Sequence, residues 1–242
     1  MINDKSVLAI IPARGKSKGL PRKNIVSLGR KPLIAWIINA ALKSKFIDKV
    51  IVSTDDKKIA NVAKNYRAEV PFIRPSKLAT DNSKTFPVIK HAINFLKSKK
   101  QNFDYVVLLE PTSPLTTNKD IDEALGRLVR QRKIADAIVG VSKLEHYHPS
   151  FNVHVNRKGL ISPYRGTKFR SFRRQEIEDL YFFDGSLYIS ALNILLKKKG
   201  FLHNRTLSYK VPKWKALEID DFVDLLYAEK TIASLKKIKR KN

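Results

Sequence analysis

The chain has no cysteine among its 242 residues. That excludes disulfides, thiolate catalysis and zinc sites built on sulfur. It also fits a reducing compartment, so a cytoplasmic location is expected. No apolar run approaches the roughly 20 residues of a membrane span, so membrane insertion is not expected. The apolar stretch after Met1 is short and no small-residue cleavage site follows it, so a secretory signal is not expected either. Histidine is scarce, and His91, His146, His148, His154 and His203 show neither metal-ligand nor triad spacing. Acidic residues are few: 22 Asp and Glu stand against 48 Lys and Arg, a net charge of +26. Such an excess suits an anionic partner, whether nucleic acid, an anionic membrane surface or a polyanionic substrate. The cations are spread over the whole chain, and no zinc-finger, RNP or helix-turn-helix signature accompanies them. Nucleic-acid binding is therefore not the expected role.

What is present reads as one soluble α/β domain over residues 1–242. Short β-branched runs at Val7–Ile11, Val50–Ser53, Tyr105–Leu109 and Ala137–Val141 read as strands covered on both faces. Between them lie helical patterns. Pro32 suits a first helical position, and Leu33, Trp36, Ile37, Ala40 and Ala41 share a face behind it. Further helices are expected around Ile59–Tyr66, Val88–Leu96 and Asp120–Val129. This alternation predicts a mostly parallel sheet flanked by helices. After Val141 the pattern changes. Phe151–Val155, a turn at residues 156–159 and Leu160-Ile161 predict a β-hairpin in an arm inserted at 142–170. Strands at Leu180–Ile189 and Leu207–Val211 and helices at Ala191–Lys199 and Phe222–Leu235 complete the pattern. The basic tail, 236–242, is expected to fray.

The strand at Val7–Ile11 opens into Pro12-Ala13-Arg14-Gly15-Lys16-Ser17-Lys18-Gly19-Leu20-Pro21-Arg22-Lys23-Asn24. This loop holds cations, two glycines, a serine and no acid, as a polyphosphate site requires. It is neither the GxxxxGK[ST] nor the GxGxxG pattern. Ser53-Thr54-Asp55 ends a strand where ligands sit in open α/β sheets, and Asp56 reads equally as a helix cap. A polar loop, Thr80 to Thr85, precedes a helix and reads as its cap or as a binding loop. Pro111-Thr112-Ser113-Pro114 fixes a turn after a buried strand. Glu218 and Asp220 project to one side of an extended segment, and Asp221 suits a helix cap.

These motifs, in this order, resemble the acylneuraminate cytidylyltransferases, the CMP-sialic acid synthetases. The similarity runs from Leu8 to about Glu229. It implies a Rossmann-like nucleotidyltransferase sheet with a small β-hairpin dimerisation arm, a homodimer, and transfer of CMP from CTP to a nonulosonic acid with release of pyrophosphate. By the same resemblance Arg14 and Lys23 hold the triphosphate, and Ser17, Lys18 and Asn24 line the nucleotide. The RPxxLAxDxS-like segment implies that Arg74 and Ser83, with Thr85 nearby, recognise the base. The LLQPTSPLR-like segment brings Glu110 toward the sugar, and the RRQ…NGxxYI-like segments bring Arg173, Gln175 and Asp184. Arg174 would bear on the reacting end. Glu218 and Asp220 match the family's DID metal site, implying Mg²⁺. The chain departs from the family at Lys16, often glycine, at Glu110 for glutamine, at Thr116 for arginine, at Asp184 for asparagine and at Glu218 for aspartate. A carboxylate only accepts hydrogen bonds where an amide also donates, so Glu110 bears on which sugar fits. The Lys18-Gly19-Leu20-Pro21 form of the loop leans toward the sialic and legionaminic acid branch. A sugar nucleotidyltransferase of the CMP-KDO or pseudaminic type, a non-catalytic nucleotide binder and a basic nucleic-acid module are the alternative readings.

Overall fold

The computed structural model describes residues 1–145, 147–164 and 177–241, with side chains through 235. A six-stranded sheet forms the centre, in the order β10-β6-β9-β5-β1-β4. Its strands are β1 (Val7–Pro12), β4 (Lys49–Ser53), β5 (Tyr105–Leu108), β6 (Ala137–Lys143), β9 (Tyr181–Ala191) and β10 (Thr206–Lys210). β1 runs parallel to β4 and β5, and β10 runs parallel to β6. The sheet is thus mostly parallel, as expected, with one reversal: β9 lies antiparallel between β5 and β6.

Alternation along β1 shows why both faces are covered. Val7, Ala9 and Ile11 enter one core with α1 (Leu33–Leu42), α2 (Lys57–Asn65) and α4 (Asn118–Arg130). Leu8 and Ile10 enter the other with α3 (Thr85–Ser98) and α5 (Leu192–Lys198). Each such buried aliphatic side chain contributes ~1.5–3 kcal/mol, and truncating Ile10 or Ile37 to alanine would cost ~2–5 kcal/mol. A third cluster joins Leu217, Ile219, Leu225 and Ile232 to Leu28 and Leu33. It seats α6 (Phe222–Lys241) on the short hairpin of β2 (Ser27–Leu28) and β3 (Lys31–Pro32).

Local chemistry sets the element ends. Asp56 caps α2 by accepting from the Lys58 and Ile59 N–H groups at 2.7 and 3.0 Å. Thr117 and Asp120 form a capping box on α4. Pro32 is extended (φ −56°, ψ 141°) and stands just before α1, so the helix begins one residue later than expected. α6 continues through the basic tail to Lys241. No proline or glycine stops it, and lysines favour a helix C-terminus. The expected arm contains a hairpin of β7 (Val153–Val155) and β8 (Ile161–Pro163), paired with each other in a separate two-stranded sheet. Ser142 and Lys143 belong instead to β6 in the central sheet. Among the described residues, no helix is long and apolar enough to cross a membrane.

Candidate active site

β1 and β5 end beside one another, and the opening loop leaves the sheet there. Ala13 N–H donates to the Ser53 carbonyl at 2.9 Å. Gly15 N–H donates to Asp55 Oδ1 at 3.0 Å. A Cβ on Gly15 would lie 2.8 Å from Asp56 Cβ, so this approach to the N-terminus of α2 requires glycine. Asn24 is buried, and its Nδ2 donates to the Arg14 carbonyl at 2.9 Å, closing the loop on itself. The loop thereby presents its cations to a cleft of about 500 Å³ at the carboxyl ends of β1 and β5, where ligands sit in such sheets.

Arg14, Ser17, Lys18, Lys23, Asn24, Arg74, Ser83, Thr85, Glu110 and Asp220 all line that cleft. The cations meet carboxylates. Arg14 Nη1 lies 2.6 Å from Asp81 Oδ1, Lys18 Nζ lies 3.0 Å from Asp81 Oδ2, and Lys23 Nζ lies 2.7 Å from Asp220 Oδ1. Asp81 lies at the solvent-facing rim, and its hydrogen bond to Lys18 leads the contacts that hold its carboxyl below the usual range. Lys16 is exposed and lines no part of the cleft.

Arg74 is 4% exposed, with Nη2 at 3.5 Å from Asp55 Oδ1 and no partner for Nε among the described residues. Burial lowers its pKa, and Asp55 opposes the shift. A buried guanidinium with open donors is poised to hold an acceptor-rich ligand. Ser83 Oγ accepts from Thr80 N–H at 3.0 Å and donates to the Lys77 carbonyl at 3.3 Å. Its hydroxyl therefore shapes the loop. α3 starts at Thr85 with no side-chain cap at Lys84, so the polar loop does not cap this helix through a side chain.

Glu110 and Asp220 line the cleft, and Glu218 lies close enough to act on Glu110 electrostatically without lining it. Glu110 is pushed up to about 7, first by burial and then by Glu218, with Lys23 opposing. Burial and Asp220 also push Glu218 upward, and Thr112 Oγ1 donates to it at 3.5 Å. Glu218 remains exposed to solvent, which screens that push. Among the described residues, no three His, Asp or Glu side chains converge as a complete metal cage. Mg²⁺ bound to phosphates takes only one or two protein carboxylates, and of the two expected to hold it Asp220 lines the cleft while Glu218 stands outside its lining.

A second cavity of about 370 Å³ adjoins the cleft, and Thr85 and Glu110 line both. Phe86, Tyr188, Phe201 and Leu202 give it an apolar wall, and Lys198 and Lys199 add cations. Sequence reasoning missed this chamber. Its residues come from α3, the end of β5, β9, and the end of α5 with the turn after it, and the antiparallel placement of β9 beside β5 helps bring them together. Asp184 lines neither chamber. It is 3% exposed, and its Oδ1 accepts from the Ser186 N–H and Oγ at 3.0 and 2.6 Å. It braces β9 where Gly185 adopts φ +69° and the β6 register shifts. Arg173, Arg174 and Gln175 lie outside the described residues.

A cation-lined loop at the end of the first strand, facing acids on the far side of the cleft, defines a nucleotidyltransferase of the α/β class. The family described as Cytidylyltransferase matches residues 8–230, and the chain belongs to it. A CMP-N,N'-diacetyllegionaminic acid synthase from Legionella pneumophila is 34% identical, over 93% of this chain and 95% of that protein. A pseudaminic acid cytidylyltransferase from Campylobacter jejuni is 30% identical, over 92% and 94%. An N-acylneuraminate cytidylyltransferase from Escherichia coli is 33% identical over 90% of this chain, which spans 50% of that protein. The fold is shared with a solved CMP:2-keto-3-deoxy-manno-octonic acid synthetase complexed with CTP. That match has a TM-score of 0.69 and 17% identity, over 95% of this chain and 99% of that one.

Proposed function

We propose that the protein transfers CMP from CTP to the anomeric hydroxyl of a nonulosonic acid, releasing pyrophosphate. The reading rests chiefly on one observation: a cation-lined cleft meets a part-apolar cavity at Glu110 and Thr85, giving two substrates adjoining chambers. Arg14, Lys18 and Lys23 hold the triphosphate, a guanidinium and two ammoniums against a tetraanion. Ser17 lines the phosphates, and Asn24 keeps the loop closed. Arg74 and Thr85 hold the nucleoside end, with Ser83 fixing the loop between them. The sugar occupies the second cavity, where Lys198 and Lys199 suit an acid and the aromatic wall suits its apolar substituents. By the resemblance Arg174 is assigned to the reacting end and Arg173 and Gln175 to the sugar; all three lie outside the described residues.

In the reaction the anomeric oxygen bonds to the α-phosphorus and the bond from that phosphorus to the bridging oxygen breaks. The hydroxyl gives up its proton, and pyrophosphate leaves. The chain contributes position and charge, without a covalent intermediate. Glu218 and Asp220 would hold Mg²⁺, which when bound neutralises phosphate charge. Lys23 holds Asp220 in place at 2.7 Å. The relatives name three sugars at 30–34% identity. The Lys18-Gly19-Leu20-Pro21 loop favours the sialic or legionaminic acid type, and we place the reaction in the cytoplasm.

A pyrophosphate-release assay with each nucleoside triphosphate against a panel of nonulosonic acids tests the reading. Release is expected with CTP and only when an acid sugar is present. Release with GTP or ATP in preference to CTP, or none with any acid sugar, would refute it.

A further inference from the structure

Glu110 and Thr85 are the two residues that line both chambers, and Glu110 alone of the pair is ionisable. It stands two residues past the end of β5, whose residues are buried, and a turn through Pro111 and Thr112 follows it. Its carboxyl makes no hydrogen bond or ion pair among the described residues. The neighbouring groups are already engaged. Lys23 is held by Asp220 at 2.7 Å, and Glu218 accepts from Thr112 at 3.5 Å. Glu110 is thus a partly buried acid beside two other acids, with acceptor capacity that no described residue fills, at the mouth of the second cavity. An ionised carboxylate only accepts, and it pairs best with planar N–H groups bidentately. A protonated amine or amidine offers donors alone and, as a cation, holds the carboxyl ionised. An acetamido group facing the ionised carboxylate would offer one N–H and also a carbonyl oxygen, an acceptor against an acceptor.

Resting on the function proposed above, we propose that Glu110 is the specificity-determining residue for the sugar. It selects a nonulosonic acid whose nitrogen substituent in the second cavity is an amine or amidine over one bearing acetamido there. The remaining wall of that cavity, Phe86, Tyr188, Phe201 and Leu202, offers apolar contact without discriminating between these groups.

The test compares a diacetamido nonulosonic acid with its two mono-acetamidino analogues, each with CTP, in the wild-type protein and in Glu110→Gln. In the wild type, kcat/KM for one analogue should exceed that for the diacetamido sugar by about tenfold, the effect of a charge-assisted pair replacing a mismatched contact. In Glu110→Gln the ratio should fall to parity or invert, through KM for the sugar. KM for CTP, the Mg²⁺ requirement and the melting temperature at pH below about 4.5 should stay near wild type, because the glutamine is nearly isosteric. An unchanged ratio in Glu110→Gln, or no wild-type preference for either analogue, would overturn the proposal. A raised Mg²⁺ requirement with an unaltered sugar ratio would also overturn it, by making Glu110 a metal ligand. Turnover of none of the three sugars, with CTP still bound, would overturn the sugar reading itself. Turnover without discrimination would overturn only the role of Glu110.

Discussion

Arg14 and Lys23 enter the cleft from one loop and already face carboxylates, Asp81 at 2.6 Å and Asp220 at 2.7 Å. On the proposed function a triphosphate arriving there would exchange partners with those acids, and each cation is held in position before it binds. Arg14→Ala and Lys23→Ala should each leave the fold intact, since both side chains sit on the loop outside the sheet. Each should lower kcat/KM by at least tenfold, because a lost charge-assisted contact is worth ~1.5–3 kcal/mol. Steady-state kinetics with circular dichroism checks both halves, and near-normal turnover in both variants would contradict the assignment. Asp220→Asn should raise the Mg²⁺ concentration needed for half-maximal activity, and an unchanged titration would place the metal elsewhere. Glu110 gives a pH prediction. Its carboxyl is raised from 4.5 to about 7, so the folded chain holds that proton more tightly than the unfolded one. Between those values rising pH therefore erodes stability. Glu110→Gln carries no such proton, so its stability relative to wild type should grow from about pH 4.5 to about pH 7 and then level off. Urea denaturation of the metal-free protein across that range checks this, and a gap independent of pH would contradict it.

At the scale of elements, what was legible in the sequence follows from local chemistry. The strands at Val7 and Tyr105 announce themselves as short β-branched runs because both faces are buried, and Asp221 announces the start of α6. Asp221 Oδ1 indeed accepts from Val223 and Asp224 N–H groups at 2.8 and 3.0 Å. The cleft was legible for the same reason, since all its lining cations except Arg74 come from one contiguous loop. β9 was visible as a strand, but its direction was not, because strand direction depends on contacts distant in sequence rather than on its own pattern. The second cavity depends on that direction and stayed hidden with it. Asp184 likewise reads as a site residue beside Gly185, yet its side chain turns inward to Ser186. The tight crossing of β6 and β9 there yields another prediction. A Cβ on Gly140 would collide with Ser186 Oγ and Asp184 Oδ1, both buried. Gly140→Ala should destabilise by ~1–3 kcal/mol, as overpacking does, read as a lower urea midpoint with an unchanged slope. An unshifted midpoint would show that β9 relaxes freely at this point.

At the scale of the whole molecule, the hairpin of β7 and β8 leaves Val155 66% and Ile161 57% exposed, and Phe182 and Phe183 on β9 are exposed as well. Apolar surface of that kind is what a second copy would cover, as the resemblance implies. We expect a homodimer, with Val155→Lys and Ile161→Lys together shifting light scattering toward the monomer mass. A wild-type monomer at high micromolar concentration would contradict this. Of the cations behind the net charge of +26, Arg14, Lys18, Lys23 and Arg74 line the cleft and Lys198 and Lys199 line the second cavity, a grouping that composition alone could not reveal. On the proposed function the sugar's own anomeric oxygen attacks the α-phosphorus of CTP in the cleft between Arg14 and Asp220. The decisive experiment is phosphorus NMR of a reaction run with the nonulosonic acid labelled with oxygen-18 at the anomeric hydroxyl. The label is expected in the bridge of the CMP-sugar, with unlabelled pyrophosphate. Label in the pyrophosphate, or a CMP-sugar whose bridge carries none, would contradict it.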